Sequence, residues 1–87
     1  MGDKAKFVEV NLTKLKPSFS KVVISGYGLE NLELTFRVGD ELVKPEFAEI
    51  KEEEFCVTYL LKNAISPDGL HLDFNAHRVE LYEIEVF

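Results

Sequence analysis

Cys56 is the chain's only thiol and the first side chain that could act as a nucleophile. A catalytic thiol needs a base within hydrogen-bond reach and an electropositive setting that favours the thiolate. Cys56 instead follows three consecutive glutamates, Glu52 to Glu54, and the aromatic Phe55. Because these negative charges disfavour the thiolate, we expect an inert, partly buried thiol and no catalytic residue at this position.

The segment HLDFNAH carries a possible metal ligand at every second position. These four side chains are His71, Asp73, Asn75 and His77. On a strand that rises about 3.3 Å per residue, His71 and His77 lie about 20 Å apart. A single ion could reach only two neighbours, such as His71 and Asp73, whereas zinc usually takes three or four protein ligands. We therefore expect the polar side of a strand, with no metal site and no other cofactor.

Two groups of carboxylates could in principle perform acid–base chemistry. They are the run Glu52–Glu54 and the set Glu80, Glu83 and Glu85. Such chemistry needs a cleft in which two carboxyl groups acquire different pKa values, and nothing in the sequence predicts one. The segment GYGLEN, which starts at Gly26, has the first two glycines of a dinucleotide-binding motif and lacks the third. We predict a protein that is not an enzyme and has no small-molecule substrate.

The N-terminal part of the chain combines basic and aromatic side chains. Lysines that contact phosphates and rings that stack on bases are the usual means of holding single-stranded nucleic acid. Phe19 lies between two serines in a predicted loop, so its ring is expected to be exposed. The candidate nucleic-acid-binding residues are Lys14, Lys16, Phe19, Lys21, Tyr27 and Arg37. The alternative is a scatter of surface lysines, with both rings covering the ends of the fold.

The C-terminal segment YEIEVF is unusually apolar for the end of a chain. If its apolar side chains point outward, they form a strip that a protein partner or a second copy could cover. The residues of this strip are Tyr82, Ile84, Val86 and Phe87. The alternative is that this last strand completes the core.

Composition and charge set limits on the type of protein. The 87 residues suit one domain over 1–87, and their net charge is −6. Residues 40–54 hold seven carboxylates and two lysines, so bulk nucleic acid and anionic membranes are repelled. The N-terminal residues lack the apolar run of a signal peptide, and Cys56 has no partner for a disulfide. We expect a cytoplasmic protein that does not contact a membrane.

Alternation of apolar and polar residues predicts several strands. The clearest case is NLELTFRV, residues 31–38; the segment KVVIS, residues 21–25, is a second, and the alternation of Val8, Val10 and Leu12 with polar residues is a third. The sequence SPDG, residues 66–69, predicts a turn before a further alternating strand over residues 70–74. Val79 and Leu81 share one parity, whereas Ile84 and Val86 have the other. A β-bulge near Tyr82 and Glu83 would explain this change of parity, because it inserts one extra residue.

The segment between residues 45 and 65 has two interpretations. Pro45 suits the first position of a helix, and Phe47 and Ile50 are three residues apart, which predicts a short helix over about 45–54. From Phe55 onward, valine, threonine and tyrosine favour a strand to about Lys62. The rival interpretation is one helix from Pro45 to Ile65.

The predicted order is three strands, a short helix and further strands. It is similar to the element order of the OB-fold, a partly open barrel with a helix between its third and fourth strands. This resemblance implies a mainly β protein, a small antiparallel OB-like barrel of five to six strands with a helix at about 45–54. We expect a non-enzymatic module that binds through a protein surface and self-associates through its C-terminal strand. The alternative function is binding of single-stranded nucleic acid.

Overall fold

The computed structural model describes residues 6–14, 17–76 and 78–87. Within these ranges the chain forms eight strands and no helix, so no helix in them is long and apolar enough to span a membrane. The strands are β1 (Lys6–Asn11), β2 (Phe19–Tyr27), β3 (Glu33–Val38), β4 (Glu41–Val43), β5 (Phe47–Glu53), β6 (Cys56–Ile65), β7 (Gly69–Phe74) and β8 (Glu80–Val86).

The strands form two antiparallel sheets of four strands each. The first sheet has the order β1-β7-β3-β4, and the second sheet has the order β5-β6-β2-β8. Two connections are hairpins, β3 to β4 and β5 to β6, and every other connection passes from one sheet to the other. The sheets face each other across one core, so the architecture is a two-layer β-sandwich.

Alternate side chains from both sheets fill the space between the layers, as the two-residue period of a strand requires. Val22 and Ile24 of β2 are completely buried, and so is Leu72 of β7. The rings of Phe19 and Phe36, which belong to opposite sheets, meet edge to face with centroids 6.0 Å apart. No buried residue in the described ranges is polar or charged, so apolar packing holds the two sheets together.

The predicted OB-like barrel of five to six strands is wrong, because the eight strands form two separate sheets, although the mainly β, antiparallel character is confirmed. β4 is three residues long, and the segment Lys44-Pro45-Glu46 carries the chain to the second sheet. Proline has no N–H to donate to a ladder, so Pro45 adds no ladder bond between the edge strands β4 and β5. β4 and β5 are edge strands of different sheets and do not pair, so the two sheets remain separate.

The predicted helix over 45–54 is also wrong, as is the rival helix from Pro45 to Ile65, because Phe47–Glu53 form β5. A helix of this length gains little stability by itself. The extended conformation instead places Ile50 opposite Tyr59 of β6, and the Phe47 ring lies 5.0 Å from the Tyr59 ring. The strand predicted beyond Phe55 is confirmed by β6.

A two-residue turn, Glu54-Phe55, joins β5 to β6, since Glu53 pairs with Cys56. Phe55 has a φ of 68°, a left-handed conformation that glycine or asparagine usually supplies in such turns. Holding another L-residue there costs about 1–2 kcal/mol. The sequence has no hairpin signal at this position, which is why the turn was not predicted.

The β-bulge predicted near Tyr82 and Glu83 is confirmed. Ser25 of β2 pairs with Glu83, and the next residue, Gly26, pairs with Leu81, so Tyr82 is the extra residue. Because of this insertion, Leu81 and Ile84 both pack against the core, as does Val86. An outward-facing strip that includes Ile84 and Val86 is therefore not formed, and this part of the strand completes the core.

Gly28 allows the segment before β8 to approach β2 closely. A Cβ at this position would lie 2.1 Å from the carbonyl oxygen of Arg78, and the φ of Gly28 is 82°. Gly39 has a similar φ of 63°, but a Cβ there would meet no atom within 4 Å. The two glycines therefore share a backbone conformation and differ in the space around them.

We expect Gly28→Ala to lower the free energy of unfolding by more than Gly39→Ala does. Both variants pay about 1–2 kcal/mol for the left-handed backbone, and only Gly28→Ala also forces the Arg78 backbone away. Urea denaturation of both variants measures the difference. Equal losses would show that the close approach at Gly28 is not a constraint on the fold.

Candidate functional site: the outer face of the second sheet

Phe19 is buried, with 2% of its surface exposed, and the prediction of an exposed ring is wrong. It begins β2, and the pairing of β2 with β6 is irregular between Phe19 and Lys21. This irregularity turns Phe19 into the core, although Lys21, two residues later, points outward. The Phe19 ring is thus not available to stack on a base.

The other residues of the predicted nucleic-acid site do not form one surface. Lys21 lies on the outer face of the second sheet, and Arg37 lies on the outer face of the first, where it is bonded to Glu9. Lys14 is exposed in the turn after β1, and Lys16 lies outside the described residues. Binding of single-stranded nucleic acid stays a prediction, and of its residues in the described part of the chain only Lys21 and Tyr27 share a face.

His71 belongs to a polar network on the outer face of the first sheet. Its Nδ1 donates to Glu9 Oε2 at 2.9 Å, and the Arg37 guanidinium donates to the same carboxylate. The Phe7 ring stacks on the imidazole with centroids 5.2 Å apart. Across the described ranges, no three side chains of His, Cys, Asp or Glu are grouped to hold a metal ion, and His77 lies outside those ranges. The network cross-links β1, β7 and β3.

The hydrogen bonds from His71 and Arg37 hold the pKa of the Glu9 carboxyl below its ordinary value of 4.5. Because folding lowers the pKa of this carboxyl group, its ionised form stabilises the folded state at pH values above the ordinary pKa. This contribution is lost as the pH falls through the lower, folded-state pKa.

We expect Glu9→Gln to destabilise the protein at neutral pH, with the difference from the wild type shrinking below pH 4.5. Urea denaturation at neutral pH and in acid measures this difference, with Glu41→Gln on the exposed strand β4 as the control. A difference that is independent of pH would contradict a charge-dependent role for Glu9.

The outer face of the second sheet is defined by residues that pair across its four strands, because directly paired residues point to the same side. The central strands contribute mainly apolar or small side chains, and the edge strands contribute mainly charged ones. From β5 to β8 the rows are Glu49, Leu60, Lys21 and Phe87; Lys51, Thr58, Val23 and Glu85; and Glu53, Cys56, Ser25 and Glu83.

Apolar side chains run across the middle of this face. Leu60, Val23 and Cys56 are half-buried there, although they point away from the core. Phe87 ends the row of Leu60, and its ring is 59% exposed. The Lys21 Nζ lies 5.3 Å from the centroid of that ring, and backbone bonds between Lys21 and Phe87 extend the pairing of β2 with β8. Cys56 is thus one apolar member of a surface.

Three further aromatic rings lie where β2 ends and β8 begins. The Tyr27 and Phe55 rings stack with centroids 6.1 Å apart and are 44% and 50% exposed. Tyr82, the bulged residue, is 63% exposed, and its hydroxyl lies 3.5 Å from Glu80 Oε1. The Arg78 guanidinium lies 5.6 Å from the Tyr27 centroid. These rings extend the apolar part of the outer face to its other end.

Four of the predicted carboxylates, Glu53, Glu80, Glu83 and Glu85, lie along the two edges of this face, whereas Glu52 pairs with the buried Val57 and Glu54 lies in the β5–β6 turn. Glu83 and Glu85 belong to β8 and Glu53 to β5, and all three are exposed. Glu80 pairs with Tyr27 across the strands, and its carboxylate accepts from Arg78 Nη2 at 2.6 Å. That bond holds the pKa of the Glu80 carboxyl below its ordinary value. The carboxylates therefore border an apolar surface.

Comparisons of this chain with protein-family models, with curated proteins and with solved structures give no match. The chemistry of the outer face follows from its own side chains, which offer apolar contact in the middle and negative charge at both edges. Val23, Leu60 and Phe55 were not predicted as site residues, because strand register places Val23 and Leu60 on one face, and the stacking of Phe55 on Tyr27 places that ring at its end. The one sequence signal for this face was the alternation in KVVIS, which places Lys21, Val23 and Ser25 on the side of the strand away from the core.

Proposed function

We propose that this chain is a protein-binding module whose outer face of the second sheet docks a basic, partly apolar partner segment. The observation that carries the proposal is the apolar band between two carboxylate-bearing edge strands. Leu60 and Val23 lie at its middle, and carboxylates stand on β5 and β8 at either side. A partner with an apolar stripe flanked by lysine or arginine complements both features.

The aromatic residues support the proposal of a protein partner. Tyrosine and phenylalanine are enriched at the centres of protein interfaces, because large rigid rings bury much area at little entropic cost. Tyr27, Phe55, Tyr82 and Phe87 are each at least 44% exposed around this one sheet. Single exposed apolar residues are normal on a soluble protein, whereas several on one face mark an interaction surface.

The distribution of charge supports a basic partner. The three rows carry four carboxylates, Glu49, Glu53, Glu83 and Glu85, and two lysines, Lys21 and Lys51. A negative surface attracts a cationic partner, raises the rate of association and disfavours acidic competitors. Salt screens such attraction, which gives the proposal a measurable signature.

Self-association through Tyr82, Ile84, Val86 and Phe87 is the less favoured form of protein binding. β8 is an edge strand with β2 as its neighbour in the sheet, so its other side is open to a further strand. If two copies paired antiparallel about Ile84, Glu83 would lie opposite Glu85 of the second copy, and like charges in that position are destabilising. The same edge suits a strand that carries lysine.

We expect a short synthetic peptide of alternating lysine and leucine to bind the protein and to shift backbone amide resonances of β2, β6 and β8. Tyr82→Ser should weaken binding by roughly tenfold, as removal of an interface aromatic does. The matched control is Phe7→Ser, since Phe7 is 62% exposed on the other sheet and should leave binding unchanged.

The control peptide alternates glutamate and leucine, and because its charge is reversed it should not bind. Raising the sodium chloride concentration should weaken binding of the lysine peptide. The proposal fails if both peptides bind equally, or if the shifted resonances map to the first sheet.

Light scattering on the purified protein tests self-association. We expect a monomeric mass for the wild type. Replacing Glu83 by lysine would place opposite charges across the two-fold pairing about Ile84, so Glu83→Lys should dimerise more readily than the wild type. A dimeric wild type that Glu83→Lys stabilises further would restore self-association through β8 as the better hypothesis, whereas a dimer that the substitution leaves unchanged would associate through another surface.

A further inference from the structure

A cleft of about 280 Å³ opens at the end of the sandwich where the β5–β6 turn meets the segment after β2. This volume is below the roughly 300–1,000 Å³ of sites for drug-sized ligands, so it suits a single side chain. Its lining includes the rings of Tyr27 and Phe55 and the carboxylates of Glu30, Glu52, Glu53 and Glu54. We call it the end cleft.

Two aromatic rings form one wall of the end cleft. The Tyr27 and Phe55 rings are nearly parallel, with an interplanar angle of 28°, and their centroid separation of 6.1 Å is that of a pair in direct contact. A guest therefore cannot enter between the rings and meets them from the cleft side. Their apolar surface on that side can pack against the methylenes of a long side chain.

The charged residues that line the end cleft are all acidic. Glu30, Glu52, Glu53 and Glu54 contribute four carboxylates, and no lysine or arginine is among the described lining residues. The larger cleft of about 350 Å³ beside Pro45 is different, because Lys44 and Lys62 line it together with Glu46. Charge complementarity therefore selects a cationic occupant for the end cleft and selects none for the larger one.

Tyr27 already engages a cation within the protein. The Arg78 guanidinium lies 5.6 Å from the Tyr27 centroid while its Nη2 donates to Glu80 Oε2 at 2.6 Å. This contact combines a ring and a carboxylate around one guanidinium. The end cleft offers a similar combination to a cation from outside, with Phe55 as a second ring beside Tyr27 and four carboxylates of its own.

We propose that the end cleft binds one lysine or arginine side chain of the partner, with its charged group among the glutamates and its methylenes against Tyr27 and Phe55. This inference rests on the proposed function, since it names the residue by which a basic partner is selected. Tyr27 belongs both to the end cleft and to the aromatic end of the outer face, so one partner segment reaches both.

The test uses amides of single amino acids as probes, with binding followed through the amide resonances of Tyr27, Gly28 and Phe55. The lysine and arginine amides, each acetylated on the α-amino group so that the side chain keeps its charge, should shift these resonances. N-acetyl-norleucine amide, which has the apolar chain without the charge, should not. If norleucine amide binds as well as lysine amide, the occupant is apolar and the proposal of a cationic guest is overturned.

Phe55→Asn separates binding from stability, because asparagine tolerates the φ of 68° that Phe55 adopts. We expect this variant to bind lysine amide roughly tenfold more weakly, while its free energy of unfolding does not fall. Glu54→Gln is a second variant, which should also weaken lysine binding, and Phe7→Asn on the first sheet is the control. Unchanged binding in both cleft variants would overturn the proposal.

The same variants distinguish this inference from the proposed function. Tyr82→Ser should weaken binding of the lysine–leucine peptide and leave binding of lysine amide unchanged. If the peptide binds the outer face and lysine amide does not shift the end cleft, only the cleft proposal fails. If lysine amide binds and the peptide does not, the docking face fails and the end cleft stands as a site for free cationic side chains.

Discussion

The alternation of side chains along β2 is the constraint on which the rest of the structure depends. Val22 and Ile24 are completely buried, so Lys21, Val23 and Ser25 must point to the outer face of the second sheet. β2 lies between β6 and β8, and its register assigns their residues to the core or to the outer face as well. Because a slip of one residue would exchange the two faces, the fold and the proposed docking face depend on the same register.

The edge strands of the second sheet combine two properties through the same residues. Carboxylates on β5 and β8 protect open edges from pairing with other copies of the chain, since such pairing would bring like charges together. The same carboxylates make the surface attractive to a cationic segment. Phe55 also combines two properties. Its ring lines the end cleft, and its backbone has a positive φ that an aromatic residue rarely adopts.

Local patterns predicted the parts of the fold that depend on local sequence. The alternation in residues 31–38 gave β3, and the opposite parity of Leu81 and Ile84 gave the bulge at Tyr82. β5 could not be predicted, because its glutamate-rich sequence is extended only through pairing with β6. Phe19 was misplaced for the same kind of reason, since an irregularity in pairing turns it inward. Tyr27, Tyr82 and Phe87 were named as candidate residues, but their neighbours on the outer face depend on pairing between distant segments.

The order of strands also determines when the molecule can fold. β1 pairs with β7, and β2 pairs with β8, so the earliest strands find partners among the last ones. Most contacts therefore join residues far apart in sequence, and sandwiches of this kind fold in milliseconds to seconds instead of microseconds. During synthesis on the ribosome, the first sheet cannot assemble until Phe74 has emerged from the exit tunnel. Until then the alternating apolar residues of β2 and β3 stay open to chaperones.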